Sequence, residues 1–213
     1  MKTYLNIEQP IIFSTEMVKA IIDKKKTVTR RIVKPQPAGF MDYFVYFHSE
    51  NKNYRSSFGA YMQAVFGEPC SYPRIKAKYA IGDRLWVRET FLRMKRPKNC
   101  PFLPSGGEIG WWTKGDSDYC YKASIEHYQD DKWSSPLFLP RIASRFLLEV
   151  TGVRIERLHE LDDTEALLEG FENRDDFKKF WDLKNVKRGF PWAANPWVYR
   201  IQFKELKNDN SNA

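Results

Sequence analysis

Three histidines and three cysteines are all that this 213-residue chain offers to metal or thiol chemistry. Cys70, Cys100 and Cys120 stand too far apart for a Cys-x-x-Cys knuckle, and their odd number argues against a closed disulfide framework. Reduced thiols in a cytosol are the expectation. His48, His127 and His159 are isolated, none at metal-ligand spacing from a cysteine, so no metal is expected. Glycine is sparse, and no Gly-x-Gly-x-x-Gly, phosphate loop, Gly-x-Ser-x-Gly elbow or His-Glu-x-x-His occurs. No cofactor is expected on that basis. No apolar run reaches the roughly 20 residues of a membrane span. The first ten residues, MKTYLNIEQP, contain no apolar signal core. These absences describe a soluble, cytoplasmic protein with no membrane partner. Acid is also short: 27 Asp and Glu face 35 Lys and Arg, a net charge of +8. That balance suits a polyanionic partner, RNA first and DNA second, or else ordinary solubility.

What is present is enough apolar and aromatic material for a core, 42% and 15% of the residues. Residues 11–24 read as an apolar run followed by a helix, with Ser14 or Thr15 as cap and Glu16 in the first turn. Residues 27–33, TVTRRIV, are β-branched and read as a strand. Gly82-Asp83 signals a turn, and residues 84–91 alternate as a strand should. Residues 145–158 predict a strand pair or one long bent strand, with Thr151-Gly152 at the bend. Asp162 to Glu165 predicts a capped helix ending at Gly170, residues 174–183 a second helix, and residues 197–203 a closing strand. Residues 35–80 and 92–140 lack a sustained period and read as insertions, the second with one strand near residues 119–123. The fold class expected is α+β in a single domain, a small mixed barrel with helices at its rim.

Three constellations carry candidate chemistry. Lys24, Lys25, Lys26, Arg30, Arg31 and Lys34 crowd a helix-to-strand junction that also holds Thr27 and Thr29. Such a cluster suits a phosphate or an anionic intermediate, or is a solvated basic loop. Arg84, Trp86 and Arg88 share one face of their strand, as a base-stacking and phosphate-binding surface or as a tryptophan packed under arginine stems. Glu89 shares the other face with Leu85 and Val87, and an inward carboxylate needs a partner, in an ion pair or a pocket. Glu169 falls in the last turn of its helix, where orphan carbonyls disfavour a negative charge; it reads as an acid/base group or as an exposed glutamate. Charge is also segregated. Residues 158–182 carry nine acids and residues 74–98 nine bases, which predicts a basic face turned to a polyanion and an acidic face turned away.

The helix leading into Lys26-Thr27-Val28-Thr29-Arg30-Arg31, then Gly82 to Glu89, Leu148 to Val153, Ala166 to Gly170 and Pro196 to Tyr199 resemble, in that order, the motifs of the ASCH family. The matched segments span roughly half the chain and leave the two insertions outside. The longer, Trp-rich form is similar to ASCH proteins of bacteriophages and prophages. The resemblance implies a PUA-like barrel and ligands among RNA, nucleosides and modified bases. Some small bacterial members hydrolyse the acetyl amide of N4-acetylcytidine. Carried onto this chain, their catalytic trio would be Lys26, Thr29 and Glu169. Lys26 would activate the Thr29 hydroxyl or orient a water, and Glu169 would pass a proton to the leaving amine. In a straight strand residues 26 and 29 face opposite sides, so the pair converges only across a turn or bulge, and Thr27 is then the competing hydroxyl.

The first expectation is therefore a metal-independent amidohydrolase of a modified nucleoside. The second is a module that binds RNA or a modified base through Arg30, Arg31, Arg84 and Arg88. A ribonuclease using the same basic pocket is the third, and a phage protein whose insertions bind another protein is the fourth.

Overall fold

The computed structural model describes residues 7–34, 36, 78–95, 111–114, 117–124 and 132–206. Most of the first predicted insertion, much of the second, and Cys70, Cys100, His48 and His127 lie outside these residues. The described elements, in chain order, are β1 (Glu8–Ile12), α1 (Thr15–Ile22), β2 (Val28–Ile32), β3 (Arg84–Arg88), β4 (Phe91–Lys95), β5 (Trp111–Lys114), β6 (Ser117–Tyr121) and β7 (Leu147–Arg157). Helices α2 (Asp163–Leu168) and α3 (Arg174–Asn185) and strand β8 (Trp197–Leu206) complete them, with short 3-10 turns between. The class is α+β. A five-stranded sheet runs in the order β1-β3-β7-β8-β2, and a three-stranded sheet in the order β4-β6-β5. The larger sheet is mostly antiparallel, with β1 parallel to β3 and β2 antiparallel to β8. Among the described residues it is an open sheet ending at β1 and β2, not a closed barrel. No described helix is long and apolar enough to cross a membrane.

The chain divides into two compact units. The first comprises residues 1–7, 25–83 and 149–204. Its core gathers Leu158, Leu161, Ala166, Phe177, Trp181, Trp192 and Val198. Helix α3 presents Phe177 and Trp181 to this core, as their four-residue spacing predicts. Helix α2 is short and closed at both ends. The Asp162 carboxylate accepts from the Glu165 N–H at 2.7 Å. At the other end Gly170 adopts φ +88°, the Phe171 N–H reaches the Ala166 carbonyl, and the Gly170 N–H reaches the Leu167 carbonyl. That left-handed residue stops the helix one position after Glu169. β7 is one long strand that runs unbroken through Gly152, where an added Cβ would meet Gln202 at 3.5 Å, ordinary contact. Gly152→Ala is therefore expected to leave the thermal midpoint unchanged within a degree or two, which a melting curve checks.

The second unit comprises residues 8–24, 84–148 and 205–213. Ser14 caps α1, its hydroxyl accepting from the Met17 N–H at 3.4 Å, and the helix buries Met17, Val18, Ala20 and Ile21. Of β1 only Ile11 and Ile12 fell within the apolar run read from sequence; Pro10 removes a ladder donor, a loss that a strand at the end of a sheet tolerates. The described part of the second predicted insertion is structured. β4, β5 and β6 form their own antiparallel sheet, where the sequence suggested one strand. Phe91, Tyr119, Tyr121, Leu139 and Ala143 form its core, and the Tyr121 hydroxyl donates to the Ala143 carbonyl.

Candidate functional site

Strand β2 and the end of α2 build one ion cluster inside the first unit. Lys26 precedes β2, in an irregular link whose backbone is tied on both sides. The Thr27 N–H donates to the Leu168 carbonyl, and the Thr27 carbonyl accepts from the Phe203 N–H, each at 2.9 Å. The Lys26 ammonium donates to the Glu169 carboxylate at 2.6 Å and to the Glu169 carbonyl at 2.8 Å. Neither side chain is exposed. Lys26 thus caps the carbonyl end of α2 and neutralises the carboxylate there. The exposed reading of Glu169 is corrected: it is 1% exposed.

Arg30 adds the next layer. Its Nε donates to Glu156 at 2.7 Å, Nη2 to Glu165 at 2.7 Å, and Nη1 to Glu169 at 3.3 Å. Arg200 holds Glu165 through a two-bond fork at 2.7 and 2.8 Å. Arg154 reaches Glu156 at 2.5 Å. The acidic segment 158–182 supplies Glu165 and Glu169 to this cluster, and the cations that meet them, Lys26, Arg30 and Arg200, come from outside the basic segment 74–98. Charges cannot be buried singly, so burying Arg30 required carboxylates from β7 and from α2.

These contacts set the proton affinities. Burial is the largest influence on Lys26 and pushes its ammonium below the ordinary lysine value; Arg31 and Arg30 add to the shift, while Glu169 resists it. For Arg30, burial opposes the charge, but Glu169, Glu156 and Glu165 outweigh it and raise its value. Glu165 feels burial upward, yet the hydrogen bonds from Arg200 and Arg30 hold it at about 2.

The other face of β2 is different. Alternation along the strand turns Thr29 and Arg31 away from the side of Arg30. Thr29 is fully buried, and among the described residues its hydroxyl has no hydrogen-bond partner. A buried hydroxyl without a partner is costly, so a residue of this kind calls for an explanation. Arg31 lies opposite Tyr199 in the β2–β8 register, and Tyr79 packs edge-on against Tyr199 with ring centres 6.3 Å apart.

No family model, no curated protein and no solved structure matches the chain. What the cluster can do follows from its own geometry.

The remaining predicted residues lie in the second unit. Arg84 is exposed, while Trp86 is buried with the Arg88 guanidinium 4.5 Å from its ring centre. That is the packed arrangement rather than an open stacking surface. Glu89 is 1% exposed and pairs with Arg145 through two bonds at 2.7 and 2.8 Å. Burial raises its carboxyl and Arg145 opposes the shift. Arg145 also donates to the Ser124 hydroxyl and stacks 4.4 Å from the Tyr121 ring centre. Glu89 is therefore half of an ion pair that ties β3 to the segment before β7. Sequence reading missed Glu156, Glu165, Arg200 and Arg145, which complete these clusters. An inward position on a strand was the signal available for Glu156 and Arg200, and a helix first turn for Glu165.

Proposed function

We propose that this chain is a hydrolase of an acylated nucleoside, removing an acyl group from the exocyclic N4 of a modified cytidine with Lys26, Thr29 and Glu169. The observation that carries the reading is the fully buried Lys26–Glu169 pair, 2.6 Å apart and drawn from residues 143 positions apart in sequence. A single proton shift along that hydrogen bond turns the ion pair into a neutral amine and a carboxylic acid, which together are a general base and a general acid. Burial favours the neutral amine, which lysine needs in order to act as a base near neutral pH.

In the proposed reaction the Thr29 Oγ attacks the acyl carbonyl carbon as its proton passes to the Lys26 amine. The tetrahedral intermediate collapses, the C–N bond breaks, and the Glu169 acid protonates the departing N4. Water then attacks the acyl-threonine, gives its proton to the Glu169 carboxylate, and the Thr29 oxygen recovers a proton from the Lys26 ammonium. The carboxylic acid leaves and the pair returns to its starting protonation. Lys26 lies before β2 begins and so outside its alternation, and because the Thr29 hydroxyl makes no hydrogen bond among the described residues, the proton transfer requires the two groups to approach each other when substrate binds. The fold that goes with this reading is a PUA-like barrel of the ASCH type. The substrate would be a nucleoside or RNA in the cytoplasm.

The binding-module reading is weaker. Arg30 already meets three carboxylates and Arg88 lies against the Trp86 ring, so two of the four arginines it relied on are engaged within the protein.

Thr29→Val is the variant that tests the proposal, since it deletes a hydroxyl that holds no structural hydrogen bond. Stability should stay level or rise by about 1 kcal/mol. Turnover of N4-acetylcytidine, as nucleoside and within a short RNA, should fall at least a hundredfold. Wild-type inertness on both substrates, or full activity in Thr29→Val, would rule the mechanism out.

A further inference from the structure

The reaction proposed above passes a proton through one oxygen of Glu169 and asks nothing of the other. The two oxygens are held differently. Oε2 accepts from the Lys26 ammonium at 2.6 Å, and Oε1 accepts from Arg30 Nη1 at 3.3 Å. Lysine can lose its proton and arginine cannot. Oε1 therefore faces a permanent cation, and Oε2 faces the partner that can exchange a proton with it. Arg30 is itself held on every side. Its Nε donates to Glu156 and its Nη2 to Glu165, each at 2.7 Å, so each of its three nitrogens meets a different carboxylate. The guanidinium is planar, and these partners fix its plane as well as its position. Behind them, Arg154 holds Glu156 and Arg200 holds Glu165. A buried ion cluster adds little net stability over apolar packing of the same shape, so stability alone does not account for three carboxylates around one guanidinium.

We infer that Arg30 is a positioning residue for the proposed deacylation: it pins Oε1 of Glu169 and so presents Oε2 to Lys26 as the oxygen through which the proton passes. This rests on the hydrolase reading. When the proton moves from Nζ to Oε2, the electrons of the N–H bond stay on nitrogen and become the lone pair that takes the Thr29 proton. Turning the carboxylate would break that path, and the bond from Arg30 opposes turning. The charge of Arg30 serves the same step. Burial is the largest influence holding the Lys26 ammonium below the ordinary lysine value; Glu169 resists it, and Arg31 and Arg30 add to it. The other charges around the pair are Glu165 from α2, Glu156 and Arg154 from β7, and Arg200 from β8. Taking Arg30 away removes a cation and leaves Glu156 and Glu165 one cation short. Both changes favour the ammonium, so Lys26 should then titrate at higher pH.

The test follows the ¹⁵N signal of the Lys26 side chain by NMR across pH in the full chain, assigned through its own side-chain carbons. Turnover of N4-acetylcytidine is measured over the same range. Arg30→Gln should raise the Lys26 titration by about one pH unit or more, carry the pH profile of kcat/KM upward with it, and lower kcat roughly tenfold or more. Arg30→Lys keeps the charge but cannot bind three carboxylates in one plane. It should leave the titration within about half a unit and still lower kcat roughly tenfold. Because losing Arg30 alone costs stability, the double variant Arg30→Gln/Glu156→Gln, which removes a cation and an anion together, is measured beside it and should shift the titration in the same direction. A Lys26 titration that neither glutamine variant moves, or Arg30→Lys with wild-type kcat, would overturn the inference. A shifted titration in a protein that deacylates nothing would keep Arg30 as the group that orients the pair and remove the hydrolase. Deacylation with wild-type kcat and pH profile in all three variants would keep the hydrolase and remove Arg30 from it.

Discussion

Replacing Lys26 by methionine should cost roughly 3–5 kcal/mol of stability, and replacing Glu169 by leucine in the same chain should return most of it. Both side chains are fully buried and 2.6 Å apart. Removing one leaves the other charge in a low-dielectric site, and that uncompensated charge dominates the cost. Lys26→Met also strips the Glu169 carbonyl at the end of α2 of its ammonium donor. Glu169→Leu by itself is expected to be milder, because burial already favours neutral Lys26 and a lost proton relieves the site. The double variant exchanges the pair for apolar side chains of similar size, a change that is often neutral. Denaturant titrations of the four proteins form a double-mutant cycle. A coupling energy near zero would mean that the pair is not the buried unit described here. Activity should follow a different pattern: the double variant should be folded and inert. That separation divides structural support from chemistry, since a purely structural pair would let activity return with stability.

The local grammar of this chain was legible. Ser14 and Asp162 capped helices as their residue type predicts, and Gly170 supplied the left-handed stop. Those signals are short-range, and the chemistry that decides them lies within a turn of the chain. What was not legible is pairing at a distance. Glu169 sits among nine acids, and composition therefore placed it on an acidic face turned from the basic segment 74–98. The structure threads that acidic helix end against β2, where Lys26 and Arg30 need counter-charges. Sequence gives the sign of each charge but not its depth, and depth decides whether opposite charges lie on separate faces or interlock. Gln36 makes the same point on a small scale. Its carboxamide donates to the Val33 and Trp197 carbonyls and accepts from the Trp197 N–H, extending the β2–β8 pairing with a side chain. From sequence, its place between two prolines read only as the start of a loop. The trio of Lys26, Thr29 and Glu169 was named from resemblance, and of the three the structure brings Lys26 and Glu169 into contact.

Arg30→Met should move the acid unfolding of the first unit to higher pH, in addition to costing several kcal/mol at pH 7. The direction follows from Glu165, whose carboxyl is held at about 2 in the folded protein, burial raising it and hydrogen bonds from Arg200 and Arg30 lowering it further. An unfolded glutamate titrates near 4.3. Between those values the unfolded chain binds more protons than the folded one, so stability rises with pH. The contribution, about 3 kcal/mol, is fully present above the unfolded value and is lost as pH falls from about 4.3 towards 2. Removing Arg30 leaves Glu165 with the Arg200 fork and the more distant Arg154 at 3.9 Å, so its folded value climbs and the gap narrows from below. The loss then begins and ends at higher pH. The same substitution leaves Glu156 with Arg154, and Glu169 with Lys26. Circular dichroism followed from pH 7 to 2 should show the variant unfolding at least half a pH unit earlier than wild type. An unmoved acid midpoint, with stability at pH 7 also unchanged, would mean that Arg30 does not hold these carboxylates in solution. The cluster would then lose its claim to position Glu169 beside Lys26.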